Sequence, residues 1–388
     1  MKEQSITSHS YTYIQNENQA NTLKEDLSRA SQIALDCEAA GFHRYSDRLC
    51  LVQLTTDTAT YILDALSFDV SPILRSSLER PEVQVNMHGS DFDLVLLRRD
   101  LSISLRGLFD TQIAGALLGR ESLGLASLLK DYHGVELSKK HQRADWAMRP
   151  LTEGMLEYAA ADTHYLNKLS DQMHNELCTR GRESWLAEEC QALEESSSSA
   201  QRSEEIDPVS RVKGARELTL RQLTALRKAL QWRDKLAREK DKALFRIVGD
   251  GPLLEAVLIN PHHPRELFDI KGFPKGLARS NGSDLVHVLE SAAQVPESEL
   301  QSYPSRPRAG SRRSSPETEA LLEALKLVRN ALAVKLGIAK GTLLSNAVLT
   351  RVAKANPKNL DSLAEVEGMR RWKIAVVGDS LLEVIHRG

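Results

Sequence analysis

The chain has 388 residues, 41% hydrophobic and 27% charged, with a formal net charge of −2. That length asks for two or three domains, and the composition is globular, which excludes the disordered and fibrous classes. No apolar run reaches membrane-spanning length, and the polar N-terminal stretch lacks the apolar core of a secretion signal. Four cysteines, Cys37, Cys50, Cys178 and Cys190, show no C-x-x-C spacing, so reduced thiols in a cytoplasmic protein are expected. Charge is uneven along the chain. Residues 1–206 carry 20 basic and 32 acidic side chains, and residues 207–388 carry 31 and 21. This suits one part whose acids hold metal and another that gathers a polyanion, with ordinary variation between domains as the plain alternative.

In chain order, NTLKEDLSRA (21–30) has helical spacing at Leu23 and Leu27 after a polar start. IALDCE (33–38), LCLVQLTT (49–56) and TYILDAL (60–66) predict a three-strand meander. SPILRSSLER (71–80) reads as a helix with Pro72 in its first turn. VQVNMHGS (83–90) is a further strand running straight into the helical DFDLVLLRRDL, which places Asp93 in a first helical turn. GLFDTQIAGALLG (107–119) and a helix in LGLASLLKDYHG follow, with Asp110 as the cap of the helix after it. A loop at 136–151 contains Lys139, Lys140, Arg143 and Trp146, the last expected to pack. Residues 152–177 predict one amphipathic helix with Tyr158 and Asp162 on one face. The order predicts an α/β domain with a mixed sheet over residues 1–190.

Residues 191–210, rich in Ser and Glu, read as a linker, and 296–316 as a second one containing Arg306, Arg308, Arg312 and Arg313. The segments 211–295 and 317–388 read as two small all-α domains. LLEAVLINPHHPRELFDIKGF (253–273) and LTRVAKANPKNLDSLAEVEGM (349–369) match at an offset of 96. Leu253, Asn260-Pro261, Leu267, Ile270 and Gly272 correspond to Leu349, Asn356-Pro357, Leu363, Val366 and Gly368. Matches in register at positions that punctuate and pack helices indicate a duplicated module. Trp232 and Trp372 are expected in the cores of these modules.

On a strand, Asp36 and Glu38 point to one face about 7 Å apart. Two partly desolvated carboxylates repel, and a hard cation such as Mg²⁺ or Mn²⁺ relieves that repulsion through oxygen ligands. Asp93 and Asp162 are the further acids that the chain can bring to them. Asp91 competes with Asp93, but its helical register turns it away.

D-x-E (Asp36, Glu38), H-G-x-x-x-D (His88 to Asp93) and Y-x-x-x-D (Tyr158, Asp162) together resemble the ribonuclease D group of DEDD-type 3′–5′ exonucleases with a third-motif tyrosine. LCLVQLTT, GLFDTQIA, ADWAMRPL and YAAADTHYL support the resemblance over about residues 25–180. KKHQRADW (139–146) also resembles the exosome-associated nuclear exonuclease, and the helical repeats resemble HRDC modules. Cys37 and Ala39 depart from the usual D-T-E-F pattern. The resemblance implies an RNase H-like fold and two divalent cations, Mg²⁺ or Mn²⁺. Asp36 would be shared by both, Glu38 and Asp162 would serve the water-activating site, and Asp93 the second site through water. Tyr158 would orient the attacking water, since its hydroxyl is a poor base at neutral pH.

His88 is a candidate for contact with the scissile end or a structural histidine; Lys139, Lys140 and Arg143 are candidates for substrate phosphate or simply solvated. The expected activity is release of nucleoside 5′-monophosphates from the 3′ ends of structured RNA, tRNA precursors among them, by a monomer. The alternatives are a 3′–5′ exodeoxyribonuclease, with single-stranded DNA as partner, and a catalytically idle nucleic-acid adaptor. The helical modules would tether RNA through phosphate contacts or only shape the entrance to the site.

Overall fold

A computed structural model describes residues 10–199, 207–304 and 315–387. A six-stranded mixed sheet has the order β1-β4-β3-β2-β5-β6. The strands are β1 (Tyr11–Ile14), β2 (Gln32–Ala39), β3 (Leu49–Thr55), β4 (Thr60–Asp64), β5 (Gln84–Met87) and β6 (Leu108–Asp110). The predicted meander is β2-β3-β4, antiparallel throughout, while β1 lies parallel on β4, and β5 and β6 extend the other side in parallel. Every residue of β3 and β4 is buried, which is why those strands read as near-continuous apolar runs.

Two strands escape the sequence pattern. β1 is a four-residue edge in which only Ile14 is fully buried, and β6 has three residues. Neither is long enough to show alternation.

In the first domain α1 (Asn21–Arg29), α2 (Ser71–Leu78), α3 (Asp91–Leu101), α4 (Thr111–Leu117) and α5 (Leu125–His133) connect or flank the strands. The helix predicted over 152–177 is two helices, α6 (Glu153–His164) and α7 (Leu166–Thr179), broken at Tyr165. α8 (Glu183–Ser199) occupies the first half of the stretch read as a linker. Tertiary contact overrides the Ser/Glu composition there: Glu194 is 8% exposed and accepts from the Leu108 backbone N–H at 2.9 Å. The linker arginines Arg306, Arg308, Arg312 and Arg313 lie outside the described residues.

The duplication holds in three dimensions. The first module contains α9 (Leu220–Glu239), α10 (Leu244–Ile247), α11 (Asp250–Ile259) and α12 (Lys275–Ala293). The second contains α13 (Pro316–Leu336), α14 (Lys340–Leu343), α15 (Asn346–Ala355), α16 (Leu360–Ala364) and α17 (Arg371–Arg387). Asn260 and Asn356 end α11 and α15 in the left-handed conformation, at φ 51° and 45°. This is a conformation that asparagine tolerates better than most residues. Arg233 donates to Val248 O and Asp250, and Arg329 donates to Leu344 O and Asn346 at the equivalent places. Trp232 and Trp372 are both buried, as expected.

The two modules dock differently. The second shares one continuous core with the first domain, through a Trp185–Trp372 stack at 4.5 Å. Glu189 on α8 there receives Trp372 Nε1 at 2.9 Å and Lys373 at 2.8 Å. The first module keeps its own core and meets the α/β domain along the loop after β2. In that contact Tyr45 donates to Asp234 at 2.9 Å, and Ala243 N–H donates to His43 O at 3.1 Å. No described helix is long and apolar enough to cross a membrane.

Candidate active site

Strand alternation sets the first pair. Asp36 and Glu38 face the side of the sheet covered by α6, while Cys37 turns into the opposite core and is 9% exposed. The ladder shifts register directly after Glu38, and such irregularities release a strand's end at functional sites. α6 begins at an N-cap Thr152 and carries Tyr158 and Asp162 one turn apart. Ligand oxygens of Asp36, Glu38 and Asp162 lie within 4.8 Å of one another. Asp93 stands beside this group, on the first turn of α3, and its charge acts on Glu38 and Cys37. Asp91 is exposed, as its register predicted.

The electrostatics are those of a cluster short of positive charge. Burial pushes Asp36 up to about 6. Burial, followed by repulsion from Asp36, Asp162 and Asp93, raises Glu38 well above the usual carboxylate range. Asp93 and Asp162 rise for the same two reasons, with a hydrogen bond from Tyr158 opposing the rise at Asp162. Tyr158 is itself raised, first by burial and then by the neighbouring carboxylates, so its hydroxyl stays protonated at neutral pH. An all-oxygen, half-buried set with this much unbalanced negative charge fits hard divalent cations.

The turn that delivers Asp93 is held by Asp110. Its carboxylate caps α4 through Gln112 and Ile113 N–H and also accepts from Gly89 N at 3.1 Å and Ser90 N at 2.8 Å. Gly89 sits at φ +65°, where a side chain would be strained. His88 Nδ1 lies 2.9 Å from the Thr111 hydroxyl, and burial holds the ring toward its neutral form. It is therefore anchored by one nitrogen.

Lys139 and Lys140 are exposed on the 136–151 loop. Arg143, also exposed, lies over the Phe42 ring with its guanidinium carbon 5.5 Å from the centroid. The same loop supplies His141 and Trp146, whose rings stand 6.3 and 6.0 Å from Tyr158. Trp146 packs, at 2% exposure. The loop is clamped by Arg149, which donates to Asp64 at 2.6 and 2.7 Å and to Trp146 O at 2.6 Å.

Two features were not visible in sequence. Gln53, cross-strand partner of Asp36 and fully buried, has both amide atoms without a protein partner. Phe42, in the loop after β2, has no motif to mark it. Elsewhere His174, Cys178 and Glu183 also bring ligand-type atoms within 4.8 Å, on an exposed surface.

Comparison with known proteins agrees with this arrangement. The 3′–5′ exonuclease family matches residues 11–178, and the HRDC domain family matches 222–289 and 318–385. The chain is 34% identical over 249 residues to the exosome complex component 10 homolog of Drosophila melanogaster, covering 63% of this chain but only 27% of that relative's length. It is 28% identical to ribonuclease D of Granulibacter bethesdensis, over 92% of this chain and 88% of the relative. Among solved structures, RNase D of Escherichia coli, described as an exoribonuclease involved in structured RNA processing, superposes with a TM-score of 0.69 at 26% identity. That match covers 97% of this chain and 99% of the other. The chain therefore carries a domain of the 3′–5′ exonuclease family, which holds the carboxylate cluster, followed by two HRDC domains, and over nearly its whole length it is similar to ribonuclease D.

Proposed function

We propose that the protein is a divalent-metal-dependent 3′–5′ exoribonuclease that removes nucleoside 5′-monophosphates from structured RNA, tRNA precursors included. The observation that carries this is the meeting of Asp36, Glu38 and Asp162 oxygens within 4.8 Å beside Asp93. These four side chains would hold two cations, Mg²⁺ or Mn²⁺, with Asp36 common to both. When bound, the pair supplies a water ionised near neutral pH and counter-charge for the leaving oxygen. Tyr158, protonated and donating to Asp162, positions the attacking water by accepting a hydrogen bond from it, and does not act as the base. His88, fixed through Nδ1 to Thr111, keeps Nε2 for the terminal nucleotide. Lys139, Lys140 and Arg143 meet backbone phosphate. RNA is preferred to DNA through the terminal 2′-hydroxyl.

The test is a gel assay of 5′-labelled RNA and DNA of one sequence, each with Mg²⁺, Mn²⁺ or EDTA. A ladder shortening from the 3′ end, stronger on RNA, abolished by EDTA and absent in Asp36→Asn and Asp162→Asn, is expected. Equal cleavage of the two polymers would move the reading to an exodeoxyribonuclease, and RNA binding without turnover to an adaptor.

A further inference from the structure

The loop that leaves the catalytic strand presents Phe42, 38% exposed, four residues after Glu38. Four residues of chain span no more than about 14 Å, which bounds the separation of the Phe42 and Glu38 backbones. Its neighbour is Phe245 of the first helical module, 54% exposed, with ring centroids 5.5 Å apart. Arg246 lies over both rings, at 4.9 Å from Phe42 and 5.7 Å from Phe245, and Arg143 approaches Phe42 at 5.5 Å. Phe245 also lines a cavity of about 790 Å³ in the module, whose wall carries Arg211, Arg233, Lys235 and Arg238 against Asp234 and Asp250, a net basic lining.

Hydrogen bonds beside the rings fasten the module: Arg246 Nε donates to Phe42 O at 2.7 Å, Ala243 N–H to His43 O at 3.1 Å, and Arg246 Nη2 lies 3.2 Å from His43 Nε2. Two large apolar side chains left this open at a joint, with two arginines beside them, have the chemistry of a single-stranded nucleic-acid platform. Bases stack on aromatic rings, and arginines meet the phosphates between them. The duplicated module supports the assignment. At the offset of 96, Phe245, Arg246 and Arg238 correspond to Gly341, Thr342 and Val334, so the scaffold itself does not require them.

We propose that Phe42 and Phe245, with Arg143 and Arg246, form a base-stacking step for single-stranded RNA upstream of the 3′ end. It lies between the catalytic carboxylates and the basic cavity of the first helical module. The inference rests on the exoribonuclease reading and adds the path by which the substrate reaches the site. It makes the module part of the substrate track rather than a remote tether.

The experiment compares kcat/KM on a dinucleotide and on an unstructured RNA of about a dozen nucleotides, a length suited to such grooves. Enzymes are full-length wild type, Phe42→Ala, Phe245→Ala, the double variant, and Phe245→Trp. The ratio of long to short substrate is expected to fall on the order of tenfold per ring removed, and to hold in Phe245→Trp. A scan of single abasic positions along the long RNA is expected to show one sensitive position upstream of the 3′ end in wild type, and none in the double variant. An unchanged long-to-short ratio in the double variant overturns the proposal, as does an abasic profile identical to wild type. Wild-type enzyme that degrades neither RNA defeats the exoribonuclease reading itself, which is a separate result.

Discussion

Arg149→Met should unhinge the loop beside the active site, and its cost can be worked from the contacts. The Asp64 side chain is fully buried and receives four hydrogen bonds: two from Arg149, one from the Tyr13 hydroxyl at 2.6 Å, and one from Leu66 N–H at 3.1 Å. Burial alone would push the Asp64 carboxyl up; the bonds from Arg149 and Tyr13 outweigh it and hold the group below its ordinary range. Removing the cation leaves a buried charge with two donors, which costs about 3–5 kcal/mol. Against a total stability of about 5–15 kcal/mol this is a large loss. The pH dependence fixes the mechanism. In wild type the Asp64 contribution is full above the unfolded carboxylate value, about 4, and disappears as pH falls through the lower folded value. In Arg149→Met the folded value rises instead, so the penalty is greatest at neutral pH and shrinks on acidification. Urea unfolding followed by tryptophan fluorescence at several pH values measures both. Asp64→Leu/Arg149→Met, with neither charge, should recover most of the loss. A penalty under about 0.5 kcal/mol, the scale of ordinary surface changes, or one that does not change with pH, would refute the buried-pair account.

Four further outcomes are expected. Tyr158→Phe should lower kcat by about a hundredfold, leave RNA affinity in place, and keep the shape of the pH–rate profile, because the hydroxyl does not ionise in the working range. Mg²⁺ or Mn²⁺ should raise the thermal midpoint of wild type, by the equivalent of about 2.7 kcal/mol at a hundred times Kd. Asp36→Asn should melt higher than wild type in EDTA, because Glu38 and Asp162 are both raised by Asp36, and should lose the response to metal. Gln53→Leu should raise the midpoint, since it removes a buried amide without a partner, worth about 1–3 kcal/mol. A lower midpoint would show that ordered water satisfies that amide.

The grouping of the candidate acids was legible because each is fixed by local structure. Asp36 and Glu38 share a face by strand alternation, Asp93 follows a strand-to-helix passage, and Tyr158 and Asp162 are one turn apart. The duplicated modules were legible because Asn-Pro and Gly recur where helices end. What escaped depends on distant partners. β1 exists because Tyr11 to Ile14 lie along Thr60 to Leu63. The Ser/Glu stretch is helical to Ser199 partly because Glu194 reaches Leu108. The Asp64–Arg149 clamp joins residues 85 apart in sequence, and no local pattern points from one to the other.

The duplication separates what the helical modules need in order to fold from what each has acquired. Both keep the arginine that ties the long first helix to the next turn, the left-handed asparagine, and a glycine pressed on the following turn, Gly282 on Leu267 and Gly378 on Leu360. The residues that each module turns toward the first domain are not shared. Trp372 of the second module, stacked on Trp185, corresponds to Gly276 in the first. Phe245 and Arg246 of the first, beside the catalytic loop, correspond to Gly341 and Thr342 in the second. One copy has therefore been committed to the back of the catalytic domain, where its core is continuous with the sheet's. The other stands at the exit of the catalytic strand with its aromatic ring open to solvent. A module held by polar contacts at that joint leaves a surface free in a way that a module fused into the core does not, and the proposed RNA path over the first copy rests on this difference.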